Sequence, residues 1–168
     1  MTVMVPPEGD YVIDPSSSVV SFKTKHMFGL GGVTGKFNIR SGGITVASPV
    51  TDSRVDALAD ASSFATGNAK RDEKVLSGAF LDAAAYPDIA FESGRVVNAG
   101  GRWTLQGTLT ARGVKAPVEF AVTESAVEGR SLKIVATAQV DRYAHGITAM
   151  KGMAGRHLQL TATIYAHR

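Results

Sequence analysis

RWTLQGTLTARGVKAPVEFAV, residues 102–122, reads as two strands and the turn between them. Trp103, Leu105, Gly107, Leu109 and Ala111 alternate with Arg102, Thr104, Gln106, Thr108, Thr110 and Arg112. A period of two puts successive side chains on opposite faces of an extended chain, so one face here is apolar and the other polar. Arg112-Gly113-Val114-Lys115 carries turn chemistry, and Val118, Phe120 and Val122 resume the alternation. The stretch is a β-hairpin with one buried face.

The same period recurs on both sides. Val20, Phe22, Thr24 and His26 oppose Ser21, Lys23 and Lys25, and Phe37 and Ile39 alternate with Lys36, Asn38 and Arg40. Gly42-Gly43 marks a bend or bulge before Ile44 and Val46. The pattern is weaker over 51–66, where Val55, Ala57, Ala59 and Ala61 share a face. It sharpens again at Ile89 and Phe91, at Leu132, Ile134, Ala136, Ala138 and Val140, and at Leu158, Leu160, Ala162, Ile164 and Ala166. Asn98–Gly101 and Glu128-Gly129-Arg130 are hairpin connections. Only NAKRDEKVLSGAFLD, residues 68–82, breaks the period. Asn68 suits an N-cap, the next residues are helix formers, and Gly78 is a stop, which predicts one short helix over about 69–77. The fold class is all-β, an eight-stranded antiparallel β-barrel with that α-helix inserted between strands; a sandwich is the alternative. Gly107, Ala111, Ala136, Ala138 and Ala162 on the inward faces leave room for a hollow interior. Facing aromatics such as Trp103 and Phe120 would fill it, and the two readings stand level.

At 168 residues and 17.6 kDa, with 44% hydrophobic and 20% charged residues, the chain has the size and composition of one globular domain. The absence of cysteine excludes disulfides, thiolate metal sites and cysteine catalysis. A net charge of +3 without a Lys/Arg cluster is no nucleic-acid footprint. MTVMVPPEGD, residues 1–10, lacks the basic and apolar regions of a signal peptide, and no apolar run reaches membrane-spanning length. The expectation is a cytoplasmic protein with a flexible segment at 1–10 and a single domain at 11–168.

Several motifs resemble a known family. Tyr11-Val12-Ile13-Asp14 with Phe22 and His26, Gly35-Lys36-Phe37, and Ser62–Asp72 with Leu76, Ser77, Phe80 and Asp82 occur in that family's order. So do Tyr86–Ser93, Gly107–Val114 with Pro117-Val118, and Arg142–Ile147. Over residues 11–166 the chain resembles the YceI-like family of lipocalin-like barrels. Lys74-Val75 departs from the family's His-Leu, and Ala144-His145 departs from its Asp-Phe. The resemblance implies a long interior groove for a polyisoprenoid, such as an isoprenoid quinone or polyprenyl phosphate. It also implies a homodimer, and a carrier would make transient membrane contact to exchange lipid.

Candidate lining residues are Val20, Phe22, Phe37, Ile39, Phe91, Trp103, Leu105, Leu109, Phe120, Ile134 and Leu160; on their own they read as plain core, and the resemblance implies that some of them line the ligand channel. Burial contributes about 0.8 kcal/mol per methylene, so a few isoprene units give useful affinity with little polar recognition. His26, polar on an apolar face, is a candidate for the head group or for a buried partner. Lys70 and Arg71 oppose the dipole in the first helical turn, which points to a head group at the barrel mouth. For Arg71 a structural pairing with Asp82 or Asp88 is favoured. Arg142 continues the inward parity of Leu132 to Val140 and needs a partner there, either a carboxylate or a ligand oxygen.

Catalytic readings are weaker. Gly29–Lys36 fails both the Walker and G-x-G-x-x-G spacings and is better read as a portal loop at 29–35, beside the helix. There is no G-x-S-x-G elbow, and His26, His145, His157 and His167 lack metal-ligand spacing, so no catalytic, metal or cofactor site is expected. Met150 and Met153 suit an adaptable lip. The leading function is non-catalytic binding of an isoprenoid lipid. The rivals are an enzyme of isoprenoid or quinone metabolism, with His26 and Glu92 as its acid-base candidates, and a ligand-free dimeric interaction module.

Overall fold

The structure is a computed structural model that describes residues 3–26 and 31–168; the side chain of His26 is not among the described parts. The strands are β1 (Gly9–Ile13), β2 (Val19–His26), β3 (Gly31–Val46), β4 (Arg54–Asp60), β5 (Asp88–Ala99), β6 (Arg102–Ala111), β7 (Val114–Glu128), β8 (Ser131–Asp141) and β9 (His157–His167). Helix α1 (Ala69–Leu76) lies between β4 and β5. Neighbouring strands pair antiparallel from β2 through β9, and β9 pairs back with β2, so eight strands close into a barrel. Sheet closure leaves no free edge in the ring.

β1 is an addition to the expected set. It pairs with Gly43–Val46 of β3 and with Ala166 and His167 of β9, in the slot that β2 occupies further along the same two strands. β1 and β2 are thus two halves of one strand interrupted at 14–18. Pro15 has no N–H to give to a ladder there. Ser18 repairs the gap: its Oγ accepts from the Tyr165 N–H at 2.9 Å and donates to the Tyr165 carbonyl at 3.3 Å. At the same end of the barrel the Met4 N–H donates to the Ser125 carbonyl at 3.0 Å, holding the chain ahead of β1 against β7.

The opposite end is closed by the chain between β4 and β5. Lys36 and Ala65 exchange backbone hydrogen bonds at 3.0 and 3.1 Å, fixing this segment to β3. The Asn68 Oδ1 accepts from the Arg71 N–H at 3.1 Å, the expected N-cap of α1. Beyond α1 the Leu81 N–H reaches the Val75 carbonyl and the Ala83 N–H reaches Leu76, which turns Phe80 and Leu81 into the barrel.

Glycines in the strands make room for aromatic rings rather than for empty space. A Cβ on Gly107 would meet Phe91 Cε1 at 2.9 Å and collide with the Glu92 carbonyl. One on Gly35 would meet the Phe22 ring and the Ala65 carbonyl, each at 2.5 Å. The expectation that Gly107 opens the interior is therefore corrected: the Phe91 ring occupies that space. Replacing Gly107 by Ala should cost about 1–3 kcal/mol in urea unfolding, the usual scale for overpacking. Gly94→Ala, where a Cβ meets nothing within 4 Å, should cost much less; equal losses would contradict the ring-against-backbone packing.

Candidate functional site

Inside the barrel is a cavity of about 210 Å³, lined by all nine strands, α1 and the segments that close its end. The inward faces of the strands supply it because the period of two holds across most of each ladder. Val20, Phe37, Ile39, Phe91 and Leu105 line it, as do Leu109, Phe120, Ile134, Leu160 and Arg142. Four other singled-out residues lie elsewhere. Phe22 is buried but packs away from the cavity, stacked on Phe64 with ring centroids 5.2 Å apart and against Phe37 at 5.7 Å. Trp103 pairs with Asn98, one pair before the last of the β5–β6 hairpin, and stands half-buried outside the lining. The parity of β6 is right, but at Trp103 the strand has reached the rim.

Lys70 is exposed on α1. Arg71 does not pair with Asp82 or Asp88: its Nε donates to Thr66 Oγ1 at 2.9 Å, and Thr66 Oγ1 donates to Asp72 Oδ1 at 2.6 Å. Asp88 is taken by Arg40 of β3, reaching across β4. Both cations thus serve or flank the helix cap rather than the cavity. The His26 side chain and residues 29 and 30 of the expected portal lie outside the described residues.

Ile44, Val55 and Ile164, not among the candidate lining residues, also line the cavity, as the period of their strands implies. Phe64, Phe80, Leu81 and Ile147 come from irregular segments, where no period marks an inward side.

The lining is apolar throughout; Arg142 and His145 border it at one end, with almost none of their polar atoms open to the cavity. Asp141 caps the single helical turn Arg142–His145 by accepting from the Tyr143 N–H at 3.0 Å, and Gly146 at φ 72° ends the turn. Arg142 is 6% exposed. No carboxylate meets it among the described residues. Its Nε donates to the Gly155 carbonyl at 2.8 Å, Nη1 to Ile147 at 2.8 Å and Nη2 to Ala154 at 3.1 Å. These bonds use three of the five N–H groups of a guanidinium and leave two. Burial without a counter-ion pushes the Arg142 guanidinium below its ordinary value. His145 Nδ1 lies 2.8 Å from the Val114 carbonyl, which only accepts, so Nδ1 carries the proton. In the neutral ring Nε2 is then an acceptor, with no protein partner among the described residues.

The nearest carboxylate, Asp141, is committed outward to Arg156, whose Nε and Nη2 reach its two oxygens at 3.0 and 2.8 Å. That pair holds the Asp141 carboxyl down at about 2.

A closed antiparallel barrel with a hydrocarbon interior belongs to the lipocalin-like class of architectures. The chain belongs to the YceI-like domain family, whose model matches residues 11–166. A UPF0312 protein of Vibrio parahaemolyticus is 35% identical over 113 residues, covering 65% of this chain and 59% of that protein. One from Yersinia pestis is 33% identical over 113 residues, covering 65% and 58%. The matches thus span about three-fifths of these relatives' length. Among solved structures, Burkholderia cenocepacia BcnA superposes with a TM-score of 0.79 at 20% identity, over 91% of this chain and 98% of that one. A polyisoprenoid binding domain from Saccharophagus degradans superposes with a TM-score of 0.71 at 13% identity, over 94% and 97%. At these identities the likeness is one of fold.

Two outcomes test the Arg142 end. Arg142→Met strands the carbonyls of Ile147, Ala154 and Gly155, so stability should fall by about 2–5 kcal/mol, with faster amide exchange over 146–156; unchanged exchange there would contradict the anchoring role. Asp141, depressed in the folded state, adds stability above its usual 3.8 that is lost as pH falls towards about 2. In Arg156→Gln its titration, followed by carboxyl NMR, should move up towards 3.8.

Proposed function

We propose that the protein binds an isoprenoid lipid non-covalently and carries or sequesters it, with the hydrocarbon chain in the barrel and the polar end at Arg142 and His145. The observation that carries this reading is the cavity itself, apolar along every strand, with Arg142 and His145 bordering one end. Such a lining selects for length and greasiness, and its aliphatic and aromatic side chains can change rotamer around a chain without breaking a hydrogen bond. The Saccharophagus degradans neighbour, described as a polyisoprenoid binding domain, supports the same ligand class.

A non-catalytic role fits the side chains at hand. Proton transfer needs an acid or base beside the reacting atom. Glu92, the acid candidate, is exposed and outside the lining. His145 faces the cavity, but no carboxylate stands with it in the lining.

Native mass spectrometry of the purified protein should show a co-purified or added prenyl lipid, with geranylgeraniol as a defined probe. Ala136 and Ala162 face each other across β8 and β9 and both line the cavity. Enlarging both to Leu should cut probe occupancy about tenfold or more while the circular dichroism stays β. Equal occupancy in that variant, or no uptake by the wild-type protein, would overturn the reading.

A further inference from the structure

The barrel end that carries α1 presents a group of exposed apolar side chains. Of the eight large hydrophobic residues exposed among the described residues, four are there: Tyr86 at 41%, Val114 at 40%, Met150 at 42% and Met153 at 38%. They arrive from three connections. Tyr86 precedes β5, Val114 opens β7, and the two methionines lie between the turn at Arg142–His145 and β9. The first two are in one patch, because the Tyr86 ring packs where a Cβ on Gly113 would lie 2.8 Å from it. The third connection joins them through His145, bonded to the Val114 carbonyl, and Gly146, next to the Val114 side chain.

This apolar end is ringed by cations. Lys25, Lys70, Lys74, Lys115 and Lys151 are exposed there and make no ion pair among the described residues. Most nearby carboxylates are engaged: Asp60 and Asp88 with Arg40, Asp72 with Thr66, and Asp141 with Arg156. Asp60 and Asp88 share the one guanidinium of Arg40, and Asp72 keeps its charge, so with Glu73 and Asp82 four negative charges stand against these five lysines, Arg71 and Arg112. The adjoining groove between β2 and the 152–157 segment is lined by Lys23, Lys25, Arg156 and His157 and by no carboxylate. Methionine and tyrosine side chains at the tips of loops, with lysines behind them, match a bilayer surface: the apolar groups enter the headgroup boundary and the ammonium groups meet lipid phosphates. A protein partner would not require the excess of one charge sign around the whole rim.

We propose that this end of the barrel, centred on Met150, Lys151 and Met153, docks on the surface of an anionic phospholipid bilayer. The 147–155 segment that presents the methionines is the one tied down by Arg142, so docking brings the Arg142 end of the cavity next to the membrane. The inference concerns the outer surface and stands whether or not the interior holds lipid.

The probe is vesicles of phosphatidylcholine with or without about 30% phosphatidylglycerol, and the readout is co-sedimentation. The wild-type protein should sediment with anionic vesicles, much less with neutral ones, and should be released by salt. Met150→Asp with Met153→Asp should reduce the bound fraction about tenfold, and Lys25→Glu with Lys151→Glu should do likewise. Val12→Asp, at an exposed position on β1 towards the other end, should bind as the wild type does. Circular dichroism checks that each variant is folded. No sedimentation with anionic vesicles, or equal loss in the Val12→Asp control, would overturn the proposal. So would undiminished binding by the methionine variant.

Discussion

The pairing of β4 with the second half of β3 turns an open sheet into a barrel. β3 is sixteen residues long and carries β1, β2 and β4 on its two edges, so the ring closes only because this one strand reaches both ends of the molecule. The close approach is made at Gly42, where a Cβ would fall 2.5 Å from the Asp56 carbonyl and 2.8 Å from Ile13 Cδ1. Once the ring is shut, every inward side chain faces every other across a common interior. The apolar side of each strand becomes a wall rather than a face to be covered by another layer.

The Arg142 end follows from that closure. A strand that leaves the barrel must place its next residues over the opening, and Arg142 is the first residue past β8. Its guanidinium is buried in a place with no carboxylate to receive it. Three carbonyls of the covering segment take that role. Isolated buried charge is costly, and charge-assisted bonds to carbonyls offset only part of the lost hydration. The guanidinium sits at the edge of a hydrocarbon cavity, with the Phe80 and Tyr143 rings against it.

The strand faces could be read from the sequence wherever a period of two ran for four or more residues. Leu105, Leu109, Ile134 and Leu160 face the cavity for that reason. The helix could be read because Asn68 leaves an N-cap signature that needs no tertiary contact. The interruption between β1 and β2 could not, since Ser18 completes it through Tyr165, 147 residues away. Nor could the partners of Arg142, because a backbone carbonyl leaves no trace in residue identity. Phe22 and Trp103 show the limit of parity alone. It gives the side of a strand correctly, yet not whether a neighbour such as Phe64 intervenes, or whether the strand has already reached the rim.

Methyl NMR on protein labelled at Ile, Leu and Val, titrated with geranylgeraniol, reads the interior most directly. A chain lying in the barrel should give intermolecular contacts to Ile39, Leu109, Ile134 and Leu160 and none to the outward Val12. Contacts confined to outward methyl groups, with the inward ones unmoved at saturation, would contradict an interior binding site.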